Sequence, residues 1–413
     1  MTPPAYSGAT SNRDRRAATK ALAALALGGF GIGVTEFATM GLVPQIAASF
    51  DVSIPATGHA ITFYALGVVV GAPLIVSLAA RLPRKGLMIG LMVALAAGNA
   101  LSAVAPSAGL LVAARFLAGL PHGAYFGIAA VVAAALVPPG RRGRAVAKIM
   151  IGLTVANLGG VPIATAVGQQ AGWRSAYWAV TVIAVITALA VHRHVPRIAA
   201  TRDAGVLGEL RAFGRIQVWF ALFTGMIGFG GMFAVYSYIS PTTTEVTGLP
   251  ESAVPWMLAV FGLGQTVGAL VGGRFVDRSV PGSVIGSLIA SALVLALFGL
   301  TATLPVPAVA SVFLIGFTSQ VLAGALQVHL MDASPDAPSL ASASNHSALN
   351  IANAAGAWLG GLAITAGWGY ASTAWVGVAL SLTGLAVALI SVAVFRVSRR
   401  RSSSPVTVGR SRD

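Results

Sequence analysis

The sequence predicts an all-α integral membrane protein whose twelve transmembrane helices form two six-helix bundles. Three observations predict this fold class: the composition, the number of long apolar stretches and an internal repeat. Hydrophobic residues make up 56% of the 413-residue chain and charged residues only 9%, whereas about a quarter of the residues of a typical soluble domain are charged. The composition therefore excludes an ordinary soluble domain.

Twelve apolar stretches follow one another along the chain, and each is long enough to cross the hydrocarbon core as a helix of about 20 residues. They occupy residues 21–47, 54–80, 86–105, 108–137, 145–169, 175–195, 213–240, 252–275, 282–304, 306–329, 341–366 and 372–395. Proline stands at the two closest joints, at Pro106 and at Pro305. Because proline disfavours the helix interior, it supports a break at both places.

An internal repeat divides these spans into six plus six, because the second half matches the first at a fixed offset of 197 residues. The clearest block is Leu66-Gly67-x-x-Val70-Gly71-Ala72, which returns as Leu263-Gly264-x-x-Val267-Gly268-Ala269. The matches fall mostly at glycine and proline, which indicates two copies of one backbone design. A duplicated, membrane-spanning chain is typical of secondary transporters, which bind substrate where the two halves meet.

The basic residues predict the orientation in the membrane. Of the 26 Lys and Arg residues, all but Arg115 and Arg174 lie in the tails or at the loops that follow spans 2, 4, 6 and 8. The positive-inside rule then places both termini in the cytoplasm. The net charge of +15 is thus explained by topology and by contact with anionic lipid, and not by binding to nucleic acid.

The predicted domains are a cytoplasmic N-terminal tail (1–20), a first bundle (21–195), a cytoplasmic linker (196–212), a second bundle (213–396) and a basic, disordered C-terminal tail (397–413). Cysteine is absent, which excludes disulfides and thiolate metal sites, and the dispersed histidines predict no metal site. The glycine runs lack the strand and the Lys-Ser/Thr pair of a phosphate loop. We therefore expect no cofactor and no ATP-driven pump.

Four motifs carry a resemblance to a known family. They are Gly273-x-x-x-Asp277-Arg278 between spans 8 and 9, Arg115-x-x-x-Gly119-x-x-x-Gly123 in span 4, Thr35-Glu36-Phe37 in span 1 and Gly159-Gly160-Val161-Pro162 in span 5. With its twelve spans and its repeat, the chain resembles the major facilitator superfamily over nearly its whole length. The finer motifs resemble the twelve-span drug:proton antiporter branch, with its sugar-efflux and chloramphenicol-resistance exporters.

The resemblance implies a multi-pass, monomeric transporter of the bacterial cytoplasmic membrane. Its expected activity is efflux of small amphipathic drugs or metabolites in exchange for protons, by alternating access, with multidrug or antibiotic resistance as the consequence. A sugar or nucleoside carrier, by symport or efflux, is the alternative. An enzyme is disfavoured because helical spacing gathers no catalytic set, and a channel because pores usually use symmetric rings of residues.

The same resemblance implies a conformational gate at the cytoplasmic ends of spans 2 and 8. Its candidate residues are Asp277, Arg278, Arg81 and Arg84. In the family, an acidic residue in this loop helps to hold the cytoplasmic side closed through charge and helix-end contacts. The first loop has Ala80 at the acidic position, so only the second copy of the motif is intact.

Two fully charged side chains lie well inside the predicted spans, Glu36 in span 1 and Arg115 in span 4. Because a charge in hydrocarbon is costly, such residues face the bundle interior, a wet cavity or each other. Both fall in the outer half of the membrane, where pairing is geometrically possible. One interpretation is an ion pair that fixes helix packing. The other is that desolvation favours the protonated carboxyl of Glu36, which then exchanges the coupling proton while Arg115 sets its release.

His122 follows Arg115 by seven residues on the same face of span 4. It either relays protons or contacts substrate, or it packs against a neighbouring helix. The resemblance associates the arginine with proton coupling, so Glu36, Arg115 and His122 form the candidate proton-coupling set.

Neutral polar residues are candidates for the wall of a substrate cavity. They are Tyr236 and Tyr238 in span 7, Gln320 and Gln327 in span 10, Asn350 and Asn353 in span 11 and Asn157 in span 5. Such groups either hold helices together or line a cavity that suits an uncharged or amphipathic solute. Helices 1, 4, 7 and 10 line the central cavity in the superfamily, so the resemblance favours Tyr236 and Gln320 over the asparagines.

Overall fold

The computed structural model describes residues 12–78, 82–138, 141–198, 214–334 and 338–402. All regular structure in these ranges is helical. The helices of the first half are α1 (Asn12–Gly41), α2 (Ile54–Leu78), α3 (Arg84–Val104), α4 (Ala108–Ala135), α5 (Arg142–Val155, a π-helical turn Ala156–Gly160, and Val161–Ala171) and α6 (Arg174–His194). A short helix, Val43–Phe50, follows α1 at the outer side, which here means the side opposite the predicted cytoplasmic termini.

The second half follows the same plan. Its helices are α7 (Ile216–Gly228 and Gly230–Tyr236), α8 (Val254–Arg278), α9 (Val280–Thr301), α10 (Pro305–Ala333), α11 (Pro338–Ala363) and α12 (Ser372–Ser402). Short helical segments follow α7 (Ile239–Pro241 and Thr242–Val246), precede α8 (Glu251–Ala253) and follow α11 (Ile364–Trp368). The two proline joints are real breaks: α4 begins beyond Pro106, and Pro305 is the first residue of α10, where its missing N–H is not needed.

Eleven of the helices in the described ranges are long and apolar enough to cross a membrane. The predicted span that is not among them is α11, since residues such as His346, Asn350 and Asn353 interrupt its apolar sequence. This helix nevertheless packs against α2 and α7 inside the molecule. Polar residues are tolerated in α11 because it faces protein on several sides rather than lipid.

Two predicted boundaries differ from the helices. Helix α1 already begins at Asn12 and α12 continues to Ser402, so residues 12–20 and 397–402, which the sequence analysis assigns to the tails, are helical. Hydropathy marks only the part of a helix that lies in hydrocarbon, and a basic segment can extend the same helix into water with its backbone bonds intact. Residues 199–213 of the linker region and 403–413 lie outside the described ranges.

The repeat reappears as two equivalent helix crossings. Helix α2 meets α4 where a Cβ added to Gly67 would overlap the carbonyl oxygen of Phe116. In the second half, α8 meets α10 where a Cβ on Gly264 would overlap the carbonyl oxygen of Phe313. Glycine recurs at these positions because each crossing needs close backbone contact.

Replacement of Gly67 by alanine should therefore separate α2 from α4. We expect Gly67→Ala to lower the free energy of unfolding by about 1–3 kcal/mol, the usual cost of overpacking. The matched control is Gly90→Ala in α3, where an added Cβ meets open space and alanine favours the helix. Thermal unfolding of the two purified variants measures the difference. Equal melting temperatures for both variants and the parent chain would contradict a tight crossing at Gly67.

Among the described residues, the large cluster of buried apolar side chains that joins the two halves lies at the centre and the outer side. One cluster combines Phe37, Met40, Val43, Ile61 and Val161 of the first half with many residues of the second, among them Phe233, Tyr236, Leu258 and Phe261. At the predicted cytoplasmic end each half has a cluster of its own, around Leu25 and Met92 in the first and around Leu222 in the second. The described structure is thus closed at the outer side.

Polar contacts strengthen the outer closure. The Gln45 side-chain amide donates to the carboxylate of Glu251, and Gln169 Nε2 donates to the Glu251 carbonyl oxygen at 3.0 Å. Gln45 lies in the short helix after α1, Gln169 at the outer end of α5, and Glu251 in the short segment before α8. These bonds therefore tie the first half to the second at the outer surface.

Candidate proton and substrate site

Arg115 of α4 is fully buried, with 0% of its surface exposed. Its Nη1 donates to Thr35 Oγ1 at 2.8 Å, and its Nη2 donates to the Thr35 carbonyl oxygen at 2.7 Å. The guanidinium carbon also lies 4.2 Å from the centre of the Tyr64 ring and 5.3 Å from that of Tyr177. Two hydrogen bonds and two aromatic faces thus replace the water that the cation loses on burial.

Thr35 connects this cation to α3. Its hydroxyl accepts from Arg115 and donates to Asn99 Oδ1 at 2.6 Å, while Asn99 Nδ2 donates to the Leu95 carbonyl oxygen at 2.9 Å. Helices α1, α3 and α4 are therefore held by one polar network inside the first half. Sequence reasoning did not single out Asn99, Tyr64 or Tyr177, and a buried polar residue in an apolar span is the only signal that points to them.

Glu36 follows Thr35 in α1 and is 7% exposed. Asn353 Nδ2 of α11 lies 3.4 Å from Glu36 Oε1 and donates to it across the boundary between the halves. Arg115 is near enough to act on Glu36 electrostatically, but its hydrogen bonds go to Thr35 and no ion pair joins the two charges in the described ranges. The guanidinium of Arg115 thus binds α1 at Thr35, the residue before Glu36, and does not pair directly with the Glu36 carboxyl.

His122 continues the network toward the predicted cytoplasmic side. Its Nδ1 lies 3.2 Å from the Tyr64 hydroxyl, and Tyr64 is the ring that faces Arg115. The His122 and Phe126 rings lie 5.5 Å apart, and Phe126 stacks on His346 of α11 with 5.7 Å between ring centres and 4° between planes. A row of titratable and aromatic groups therefore runs from the buried charges to the second half.

Tyr236 belongs to α7 and contacts Phe37, the residue that follows Glu36 in α1. Its ring stacks on Phe261 with 4.0 Å between centres and meets the edge of Phe37 at 5.8 Å. The buried Tyr236 hydroxyl has no hydrogen-bond partner among the described residues. An aromatic surface with one hydroxyl that has no partner among the described residues thus packs against the residue that follows Glu36.

Two asparagines bridge the halves. Besides the Asn353 contact, Asn157 Nδ2 donates to Gln265 Oε1 of α8 at 2.7 Å. Asn157 lies in the π-helical turn of α5, an irregularity that often marks a functional position. The Oδ1 atoms of both asparagines are buried without a partner among the described residues. The resemblance favours residues of helices 1, 4, 7 and 10, but α5 and α11 supply the amides at the boundary.

Comparison with known proteins decides the family. A sequence profile described as Major Facilitator Superfamily matches residues 25–250 and, in a second match, residues 221–410. The chain belongs to the Major Facilitator Superfamily. The two matches fall on the two halves, in agreement with the repeat, and the predicted family and fold class are confirmed.

Among its relatives in this superfamily, the "Inner membrane transport protein YdhP" of Escherichia coli (strain K12) is 40% identical over 369 residues, which cover 89% of the chain and 94% of the relative. The "Chloramphenicol resistance protein" of Streptomyces lividans is 32% identical over 79% of the chain and 84% of its own length. The chain is thus a superfamily transporter and a multi-pass protein of the bacterial inner membrane.

A solved structure has the same fold. The "D-xylose-proton symporter" superposes with a TM-score of 0.70 over 90% of the chain and 97% of that structure, at 16% sequence identity. At this identity the likeness shows the fold of the superfamily alone.

The other predicted cavity residues have contacts within the second half. Gln327 Oε1 accepts from Asn345 Nδ2 at 2.9 Å, and Asn350 Nδ2 donates to the His346 carbonyl oxygen at 3.0 Å within α11. The Tyr238 hydroxyl donates to the Ala357 carbonyl oxygen at 2.7 Å. Gln320 lies at the crossing of α10 with α8, near Gly268. The Asn350 bond stays within α11, whereas the other contacts join helical segments of the second half.

The predicted gate residues lie at the cytoplasmic ends of α8 and α3. Asp277 and Arg278 are exposed in the last turn of α8, and the Asp277 carboxylate has no ion pair within the described ranges. The backbone N–H of Arg84 donates to the Ile198 carbonyl oxygen at 3.2 Å. Arg81 lies outside the described residues.

Proposed function

We propose that this transporter exports small amphipathic drugs or metabolites in exchange for protons, with Glu36 as the group that changes charge. The observation that carries the proposal is the position of Glu36. Its buried carboxyl accepts a hydrogen bond from Asn353 of the other half, and its neighbour in sequence, Thr35, binds the buried Arg115. A change of charge there acts on the contact between the halves.

The coupling step follows from the cost of an unpaired buried charge. With the carboxyl protonated, Glu36 is neutral and the halves can close around it. With the carboxyl ionised, it needs a cation, a hydrogen-bond donor or water. Loss of the proton therefore favours a state in which the cavity is wet or occupied by substrate, and alternating access follows from repeated loading and release.

Arg115 and His122 have supporting roles in this proposal. Because Arg115 is held by Thr35 rather than by the carboxylate, it stabilises the ionised form of Glu36 from a fixed distance and eases proton release. His122 bonds to the Tyr64 hydroxyl beside Arg115, and its imidazole is suited to pass protons between the cytoplasmic side and this centre.

The aromatic surroundings of Glu36 support an amphipathic substrate. Phe37, Phe233, Tyr236 and Phe261 contact one another as a group, and a flat apolar solute with a polar group would suit this wall together with the free Tyr236 hydroxyl. The relative named for chloramphenicol resistance supports antibiotics as the first compounds to test.

The test is a susceptibility and accumulation panel in a strain that lacks its own pumps. We expect expression of the chain to lower the intracellular accumulation of at least one amphipathic antibiotic, and an uncoupler to restore it. Cells that express Glu36→Gln at the same level provide the control. Efflux that an uncoupler leaves unchanged would contradict proton coupling, and altered accumulation of sugars or nucleosides alone would favour the alternative carrier.

Asp277 provides a further prediction, about the gate. We expect Asp277→Asn to lower the transport rate by about fivefold, the effect of losing one helix-end charge contact of roughly 1 kcal/mol. The exposed carboxylate has no ion pair in the described structure, so we expect its contact to form when the cytoplasmic side closes. Arg84→Gln and Lys85→Gln are the comparison variants and should have smaller effects. A normal rate for Asp277→Asn, at equal amounts in the membrane, would remove Asp277 from the gate.

A further inference from the structure

A cavity of about 350 Å³ opens at the predicted cytoplasmic end of the first half, between α1, α4 and α5. Its volume lies within the range of small-molecule sites, about 300–1,000 Å³. The lining divides into two parts of different chemistry. Leu22, Leu136 and Val137 provide an apolar part, whereas Arg141, Arg144 and Lys148 provide a basic part.

The basic part holds three cations whose side chains are exposed at the mouth of the cavity. Among the lining residues that the structure describes there is no carboxylate, and none of the three side chains has an ion pair or a side-chain hydrogen bond within those ranges. Arg141, Arg144 and Lys148 are spaced three and four residues apart, so their charges share one side of α5 and repel one another. The repulsion among these three like charges disfavours the empty cavity, and an anion bound in the cavity would offset this repulsion.

The start of α5 adds to the preference for an anion. Its first turn contains no acidic residue and no side chain caps it, so Arg141 and Arg144 add to the positive end of the helix dipole instead of opposing it. The positive-inside rule requires only that basic residues lie on the cytoplasmic side. It does not explain why these residues surround a cavity at the N-terminal end of a helix, where the helix dipole disfavours cations.

The apolar part indicates a lipid rather than a free anion. Leu22 and Ala145 are buried members of the first-half core cluster, and Leu136 and Val137 pack against the same cluster. Helices α1, α4 and α5 are candidate membrane spans, so the predicted orientation places the cavity at the depth of the inner-leaflet headgroups. Basic pockets at this level are suited to anionic headgroups, and the leucine and valine side chains are suited to the adjoining acyl carbons.

We propose that this cavity is a specific site for one anionic phospholipid of the inner leaflet. The headgroup phosphate is bound by Arg141, Arg144 and Lys148, and the first acyl carbons contact Leu22, Leu136 and Val137. Such a lipid would bridge α1, which carries Glu36, and α4, which carries Arg115.

Native mass spectrometry of the full chain, delipidated in detergent, tests the site. The chain is titrated with phosphatidylglycerol and, in parallel, with phosphatidylethanolamine of the same acyl chains. We expect one phosphatidylglycerol to bind in preference to phosphatidylethanolamine, and Arg141→Gln/Arg144→Gln to weaken this binding by about thirtyfold, the loss of two headgroup contacts.

The matched control is Arg193→Gln/Arg197→Gln, which removes the same charge from exposed positions at and just beyond the end of α6 and should change binding by less than about threefold. Equal losses in both variants, or equal binding of the two lipids, would overturn the site. Displacement of phosphatidylglycerol by an equal concentration of inorganic phosphate would instead indicate a soluble anion and would also overturn it. If the double variant aggregates on size exclusion, Lys148→Gln alone should weaken binding by about fivefold, and no change would count against the site.

Discussion

Glu36→Gln should abolish uphill transport while leaving downhill exchange of the substrate. Glutamine keeps the shape of the side chain and can still accept the hydrogen bond from Asn353 at 3.4 Å, but it cannot change charge. Without a group that titrates, the equilibrium between the closed and open states no longer depends on the proton gradient. Transport should then equilibrate the substrate across the membrane rather than accumulate it. Purified protein in proteoliposomes with an imposed pH gradient measures both activities.

Asp51→Asn is the matched control for this experiment. It also removes one carboxylate, from an exposed position at the outer surface, and asparagine tolerates the left-handed conformation of Asp51, with φ of 53°. We expect its uphill transport to equal that of the parent chain. If Glu36→Gln also transported uphill at the parent rate, Glu36 would be structural and His122 would become the next candidate for the coupling proton.

Arg115→Ala should have the largest effect on stability as well as a severe effect on transport. It removes two hydrogen bonds of a charged donor, worth about 1.5–3 kcal/mol each, and leaves the Tyr64 and Tyr177 rings without the guanidinium between them. It also removes a buried cation whose charge acts on the Glu36 carboxylate. We expect transport to be lost and the melting temperature in detergent to fall by several degrees.

Arg115→Lys separates the structural from the functional contribution. Lysine keeps the charge, but it cannot bind the hydroxyl and the carbonyl oxygen of Thr35 with the planar geometry of a guanidinium. We expect a folded protein with strongly reduced transport. Arg174→Ala is the control, because Arg174 also stacks on aromatic rings, those of Phe50 and Trp173, but near the outer surface. Normal transport by Arg115→Lys would show that a charge of any geometry suffices.

Much of the fold and topology could be predicted from composition and periodicity, because the bilayer imposes the same requirements on every span of the chain. Each apolar stretch must form a helix, since hydrocarbon offers no partner for backbone groups. The asymmetry of lysine and arginine predicts the orientation, and the scarcity of buried charge directs attention to Glu36 and Arg115. Polar α11 was also predicted as a span, because residues 341–366 form the eleventh apolar stretch despite their polar residues.

The sequence by itself therefore determined the number of spans, the two-fold repeat, the family and the two buried charges. Only the tertiary structure decided their partners. Arg115 binds Thr35, 80 residues away, and Glu36 accepts from Asn353, 317 residues away. The physical reason is that periodicity places a residue on a face of its own helix, whereas the rotation and packing of all the helices together select which faces meet.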